Sequence, residues 1–398
     1  MNKNNLPKDW RVLLLIAVVL LIALYFKQQI NPTSQPDVNN PIPTVDNNPT
    51  NPDTNPTGPT PIDPSAPIVP VKGVTLYTTT SSLIYPDVAA NRKQPPIYKA
   101  FLADIAAAKS KIDIAVFDID LPELRDALLA AHKRGVTVRL AYDDTNATDA
   151  RVAQLVGALQ DAKIPVVADG RPPFMHEKVA AIDDNIVWTG SWNLTFNDTY
   201  RNNNQSWRFV NSTMAGLYHQ EIDQLMSGKF GVEKVSHAPY PTFPLPDGEY
   251  TFFFSPVDGV NKHVVATINA AKKNVRFLAF SYTDKAISQA MIAAHKRNLP
   301  VQGVMETQNV KGTGSAFPAL QSAGVDILQD GNCYIMHHKT IIIDDEIVIT
   351  GSYNFTKNAE QNNDENLLII HSPSLAAQMI AEYKLVRAQA EQPTTCGK

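Results

Sequence analysis

MHEKVAAIDDNIVWTGSWN at residues 175–193 and MHHKTIIIDDEIVITGSYN at residues 336–354 are two copies of one pattern, offset by 161 positions. Each runs His-x-Lys, four apolar or small residues, Asp, and an apolar run that ends in Gly-Ser-aromatic-Asn. His176 and Lys178 are two apart, so a strand puts both on one face. Asp183-Asp184-Asn185 is turn chemistry, because these side chains tolerate tight backbone conformations. The apolar runs on either side therefore pair as a hairpin. Folding about Asp184 lays Gly190-Ser191-Trp192-Asn193 beside His176-Glu177-Lys178. Folding about Asp345 does the same for Gly351-Ser352-Tyr353-Asn354 and His337-His338-Lys339. One histidine, one lysine, one hydroxyl and one amide converge at the open end of each hairpin. Asp183 and Asp344 fall at the other end, roughly 23 Å from their histidines at about 3.3 Å per residue. Neither aspartate is placed to orient its own histidine.

The surrounding chain repeats as well. From Val74 the order is VTLYT (strand), IYKAFLADIAAAKS (helix), KIDIAVFDI (strand), LPELRDALLAAHKRG (helix), VTVRLAYDD (strand), DARVAQLVGALQDA (helix) and IPVVAD (strand). The His176 hairpin and the helical STMAGLYHQEIDQLM follow. The second half repeats this order from YTFFFS to SLAAQMIAEYKLV, and Ala-Ala-His-Lys-Arg occurs at 130–134 and again at 293–297. Two units this long are too few and too large for a solenoid. The expected organisation is a first half at 71–236, a Pro-rich connector at 237–248, a second half at 249–390 and a frayed tail at 391–398.

The N-terminal part differs in kind. Residues 12–26, VLLLIAVVLLIALYF, carry no charge. Fifteen helical residues span about 22 Å, short of a hydrocarbon core of about 30 Å, and Trp10 with a snorkelling Arg11 extends the span. A cleaved signal peptide has an apolar segment of similar length, but no small-x-small site follows directly. We expect residues 1–27 to form a cytoplasmic stub and signal anchor. Lys3, Lys8 and Arg11 precede the segment, which puts the rest of the chain outside the cytoplasm; cleavage would make it secreted. Residues 28–70, rich in Pro, Asn and Thr, cannot bury enough apolar area to order themselves and are expected to act as a disordered linker.

These motifs resemble the signature of the phospholipase D superfamily, HxKxxxxD followed by GSxN. His176, Lys178, Asp183, Gly190, Ser191 and Asn193 fit it, as do His337, Lys339, Asp344, Gly351, Ser352 and Asn354. The resemblance implies an α/β fold of two homologous α/β/α halves, with mixed sheets flanked by helices. It also implies a pseudo-two-fold seam holding one composite active site, complete in a monomer. A further family element, an acidic residue 28 positions beyond the histidine, is present as Glu365, whereas the first half has Asn204.

The chemistry follows from the residue types. A phosphodiester repels nucleophiles through its negative oxygens, so its site needs cationic and hydrogen-bonding groups around phosphorus. Lys178 and Lys339 supply charge, Asn193 and Asn354 supply amides, and Ser191 and Ser352 donate or hold the turn. No metal or cofactor is needed. One histidine from each half serves as nucleophile and acid, the ping-pong route through phosphohistidine that the resemblance implies. A carboxylate at 365 beside His337 would favour the protonated ring, making His337 the acid and His176 the nucleophile.

Substrate choice is less constrained. The net charge of −4, the expected anchor and the aromatic residues in both GSxN motifs favour a phospholipid at a membrane. A nonspecific nucleic-acid binder is more often clearly basic, yet GSYNFTKNAEQNNDEN resembles the compact bacterial endonucleases of the family, which keeps a nuclease as the alternative. A phospholipid synthase and a non-catalytic binding module rank lower. Trp192 and Tyr353 are candidate substrate contacts, with plain packing as the equal alternative. His338 falls on the opposite strand face from the site. Cys333 and Cys396 fit no zinc spacing, and with Cys396 in the tail they are expected to stay unpaired.

Overall fold

The computed structural model describes residues 71–396. The anchor expected at 12–26 and the linker expected at 28–70 lie outside the described residues; among those described, no helix is long and apolar enough to cross a membrane.

The first half forms one sheet from β1 (Val74–Thr78), β2 (Lys111–Val116), β3 (Thr137–Asp143), β4 (Val166–Asp169), β5 (Lys178–Ile182), β6 (Ile186–Gly190) and β7 (Gln205–Val210), in the order β1-β7-β6-β5-β2-β3-β4. β2, β3 and β4 are parallel, and parallel neighbours need crossovers. Helices α1 (Pro96–Ala107), α2 (Pro122–Lys133) and α3 (Ala150–Asp161) pack on this side; α4 (Phe196–Tyr200) and α5 (Ser212–Met226) complete the half. The hairpin reverses direction at Asp183–Asn185, so β5 is antiparallel both to β2 and to β6.

The second half repeats the arrangement. Its strands are β8 (Phe243–Leu245), β9 (Gly248–Ser255), β10 (Val275–Ala279), β11 (Val301–Met305), β12 (Asp326–Gln329), β13 (Lys339–Ile343), β14 (Ile347–Gly351) and β15 (Glu365–His371), in the order β12-β11-β10-β13-β14-β15-β9-β8. Its helices are α6 (Val260–Asn269), α7 (Lys285–Lys296), α8 (Thr307–Val310), α9 (Phe317–Ser322), α10 (Lys357–Gln361) and α11 (Pro373–Glu391). The stretch at 237–248 is more than a connector, because β8 within it pairs with β9 at the sheet edge.

Burial explains the layering. β5 and β13 are buried along their whole length, as strands covered on both faces must be. Separate apolar clusters lie under the outer helices of each half, around Phe101, Leu128 and Leu155 in the first and Val264, Ile287 and Met291 in the second. A third cluster fills the space between the sheets. There Tyr218 and Ile222 of α5 and Met379 and Tyr383 of α11 meet Trp207, Phe209, Phe252 and Phe254. Burying each such side chain contributes about 1.5–3 kcal/mol, so the halves are joined by a core rather than by a surface contact.

The tail contradicts its expected fraying. Cys333 and Cys396 form a disulfide with Cα atoms 5.5 Å apart. α11 runs to Glu391 and brings the chain end against the loop after β12, where a Cβ on Gly331 would meet the Gln389 carbonyl oxygen at 1.8 Å. Tertiary packing of α11, which no local propensity reports, makes the pairing possible.

Candidate active site

The two hairpins meet at the seam, and backbone hydrogen bonds cross from one half to the other at both motifs. The His176 N–H donates to the Asp364 carbonyl at 2.8 Å and the Asp364 N–H to the Phe174 carbonyl at 2.9 Å; the His337 N–H donates to the Asn203 carbonyl and the Asn203 N–H to the Ile335 carbonyl, both at 2.9 Å. Each His-x-Lys segment is therefore bridged to the segment just before the last strand of the other half.

This crossing reverses an expectation. Glu365 Oε2 lies 2.9 Å from Nδ1 of His176, and Asn204 Oδ1 lies 3.0 Å from Nδ1 of His337. The residue 28 positions beyond each histidine serves the histidine of the opposite half, because the bridges carry it there. Glu365 faces His176 rather than His337, and Asn204 faces His337 rather than His176.

The GSxN turns need their glycines. A Cβ on Gly190 would stand 2.3 Å from the Gln205 carbonyl oxygen, and one on Gly351, at φ +145°, would stand 2.3 Å from that of Asn366. This close approach lets Ser191 and Ser352 tie the turn to the next strand. Ser191 Oγ sits 2.8 Å from Asn204 Oδ1 and accepts from Gln205 N–H, and Ser352 Oγ accepts from Asn366 N–H at 3.0 Å. Both serines are fully buried and hold the turn. Asn193 and Asn354 follow them into the site, each nearly buried with a carboxamide oxygen that no protein group bonds.

Lys178 Nζ donates to the His176 carbonyl at 2.9 Å and Lys339 Nζ to the His337 carbonyl at 2.8 Å. Burial pulls Lys178 down to about 8, against the attraction of Glu365 and Asp198. Lys339 is held well below its ordinary value by burial and by Lys178. Burial likewise lowers His176 to about 4, opposed by Glu365 and assisted by both lysines. His337 falls well below its usual range through burial, Lys339 and Lys178. Without an anion between the lysines, both rings are neutral at pH 7.

Asp183 and Asp344 stay at the far ends of the hairpins. The Asp183 carboxylate accepts from the backbone N–H groups of Lys109, Ser110 and Lys111, and that of Asp344 from Lys272, Lys273 and Asn274. Each holds the turn at a positive φ, 48° and 58°.

Trp192 and Tyr353 are not substrate contacts. Trp192 is buried edge-on against Phe101 and donates to Thr199, and buried Tyr353 donates to Glu360 at 3.0 Å. Each turn points its aromatic residue into the outer core while the asparagine beside it faces the site. Phe117 and Phe280 line the cleft instead. They lie 5.0 and 4.6 Å, ring to ring, from His176 and His337, and 5.1 and 4.5 Å from the ammonium groups of Lys178 and Lys339. Their signal in the sequence is a phenylalanine just past the second strand of each repeat, in AVFD and LAFS.

His338 and its counterpart Glu177 face away from the site into the seam. His338 Nε2 lies 2.9 Å from Glu382 Oε1, and its Nδ1 meets Gln205. Glu177 bonds the Asn366 amide, and burial raises it to about 8.

Two cavities open onto the histidines. A cleft of about 590 Å³ is lined by His176, His337 and Asn354 with Phe117, Phe174, Phe280 and Lys357. A second of about 280 Å³ is lined by His337 and Asn193 with Asp118, Asp120, Asp149 and Asp198, beside Arg151. Burial and Asp120 raise Asp118 to about 6.

The family model for the cardiolipin synthase, PLD-like domain matches residues 101–226 and 264–386. A phospholipase D of Rickettsia conorii is 33% identical over 174 residues, 42% of this chain and 86% of that protein. The mitochondrial cardiolipin hydrolase of Xenopus laevis is 30% identical over 112 residues, 28% of this chain and 53% of that protein, so the chain spans about half its length. In fold, the phosphatidylserine synthase of Haemophilus influenzae superposes with a TM-score of 0.56 at 13% identity, over 73% of this chain and 83% of that one. Matched in both halves by one model and carrying one His-x-Lys from each in a shared site, the chain belongs to the phospholipase D superfamily, in its cardiolipin synthase, PLD-like domain family.

Proposed function

We propose that this phospholipase D-type phosphodiesterase acts on phospholipids. One observation carries the reading: the reacting histidines stand between an aromatic cleft and a carboxylate-lined cavity. A single lipid phosphodiester fits, with its apolar part toward Phe117, Phe174 and Phe280 and its neutral or cationic alcohol toward Asp118, Asp120 and Asp149. A nucleic-acid strand would bring flanking phosphates against those carboxylates, and like charges at close range repel. Relatives named phospholipase D and cardiolipin hydrolase support the same class. An anchor at residues 12–26 would hold a single chain, complete in both half-sites, beside an extracytoplasmic bilayer face.

The mechanism follows from the pairings. The phosphodiester lies between Lys178 and Lys339, with the Asn193 and Asn354 amides on its oxygens. Its negative charge offsets the two ammonium groups, so His337 gains a proton on binding. Glu365 accepts from Nδ1–H of His176, which leaves the Nε2 lone pair facing phosphorus and stabilises the cation formed on phosphorylation. Nε2 attacks; as the P–O bond breaks, His337 passes its Nε2 proton to the leaving oxygen. Water then attacks the phosphohistidine, giving its proton to neutral His337 while the N–P bond breaks and the phosphomonoester leaves.

Side-by-side assay of the purified extracytoplasmic region on mixed phospholipid vesicles, DNA and RNA, with EDTA present throughout, tests this. Release of head group from vesicles is expected. Cleavage of nucleic acid alone would make the protein a nuclease, and dependence on added divalent cation would overturn the route through lysines alone.

A further inference from the structure

Asn204 leaves the first half without the carboxylate that Glu365 gives the second. We infer that Asp198 supplies it, as the positioning residue that sustains the proton on His337; the inference rests on the phosphodiesterase reading.

The argument is the identity of the contacts. Glu365 Oε2 accepts from the Asn354 N–H at 3.1 Å and faces Nδ1 of His176 at 2.9 Å, and its Oε1 accepts from the Asn363 amide at 3.1 Å. Asp198 Oδ2 accepts from the Asn193 N–H at 2.8 Å and faces Nδ1 of His337 at 3.5 Å, and its Oδ1 accepts from the Asn202 amide at 2.7 Å. Asn193 and Asn202 are the counterparts of Asn354 and Asn363 under the 161-residue offset. Asp198 thus meets the same three partners from a chain position six residues earlier.

The other half is complementary. The counterpart of Asp198 is Ala359, in the same turn of α10 that Asp198 occupies in α4, and both turns are capped by a threonine that accepts from that residue's N–H. Where the carboxylate sits at 365 the helix position is small; where it sits at 198 the strand position is an amide. Asn204 bridges the remaining gap, taking the Nδ1 contact at 3.0 Å and donating from Nδ2 to the Asp198 carbonyl. Asp198 is buried, so its charge is little screened.

The two half-sites are therefore alike in charge but unlike in reach. Glu365 bonds its ring directly, which suits a nucleophile whose tautomer must be fixed. Asp198 stands behind an amide, which sustains a protonated ring without locking the proton to a carboxylate. The charged and titratable groups around His337 are Lys339, Lys178, His176 and His338, Asp118, Asp120, Asp149, Arg151 and Asp198 of the smaller cavity, and Lys357 of the cleft; of the carboxylates, Asp198 is the one paired with its Nδ1.

The test is Asp198→Asn, with two readouts. Head-group release from phospholipid vesicles should fall roughly ten- to a hundredfold, while the nitrophenolate burst from an activated nitrophenyl phosphodiester, which reports the attack step alone and whose leaving group needs no proton, should keep its rate within about threefold. Asp198→Ala combined with Asn204→Glu, which copies the other half, should recover most of the loss. Independently of turnover, the His337 ring titration followed by NMR with inorganic phosphate bound should move to lower pH in Asp198→Asn. An unmoved titration overturns the inference, and so does an equal loss on both substrates. A moved titration in a protein that cleaves neither substrate would keep the inference and sink the phosphodiesterase reading.

Discussion

His176 Nδ1 and Glu365 Oε2 lie 2.9 Å apart although 189 residues separate them. The pair spans the two halves, so neither half alone can orient its histidine. By the proton argument alone, a carboxylate partner favours the imidazolium and would make His176 the acid. One further fact favours attack by His176: phosphorylation at Nε2 itself creates a cation, and Glu365, bonded directly to that ring, stabilises it.

That choice is testable by trapping. His337→Ala should still attack a nitrophenyl phosphodiester and then stall, because no base remains to activate water. Intact mass at neutral pH should show the phosphoryl adduct, mapped to His176 and lost in acid; His176→Ala should form none. Both variants should lose at least about 100-fold of phospholipid turnover. An adduct on His337 in the His176→Ala protein would exchange the two roles.

The repeated motif made the hairpins, the seam and the converging residues legible, because strand period and turn chemistry are local. The crossing of Glu365 and Asn204 was not, since it depends on bridges between segments far apart in the chain, at Met175 with Asp364 and Asn203 with Met336. The role of Asp198 is not legible in the sequence for a related reason. Its role appears only when Ala359 is set against it and the contacts of both carboxylates are known. Trp192 and Tyr353 were ambiguous because the GSxN turn aims successive side chains to opposite sides, and sequence does not say which side is the core.

Trp192 therefore bears on stability rather than recognition. Trp192→Ala should lower unfolding stability by about 3–5 kcal/mol, read from denaturant midpoints. Trp192→Phe, which keeps most of the apolar volume, should leave KM for vesicles unchanged. A large rise in KM for a stably folded Trp192→Phe protein would restore the substrate-contact role.

The Cys333–Cys396 bond closes a loop with a sequence separation of 63. Chain-entropy reasoning gives a stabilisation of about 4 kcal/mol for such a loop. Cys333→Ser with Cys396→Ser should therefore unfold at a lower denaturant concentration. Reduction of the unmutated protein should give the same drop and leave the double variant unaffected. Equal midpoints with and without reductant would show that the bond is not formed in solution.

The lysine environment sets the alkaline edge of activity. Lys178 titrates at about 8 because burial outweighs Glu365 and Asp198, and its charge is needed to receive the phosphodiester. kcat/KM should then fall as pH rises through about 8, where the free enzyme loses that proton. The limb in kcat should lie at higher pH, since a bound anion favours the charged lysine. Lys178→Arg keeps its charge through this range; whatever its absolute rate, its kcat/KM should show no limb near pH 8. A limb unchanged in Lys178→Arg would assign it to another group, with Lys339 the next to replace.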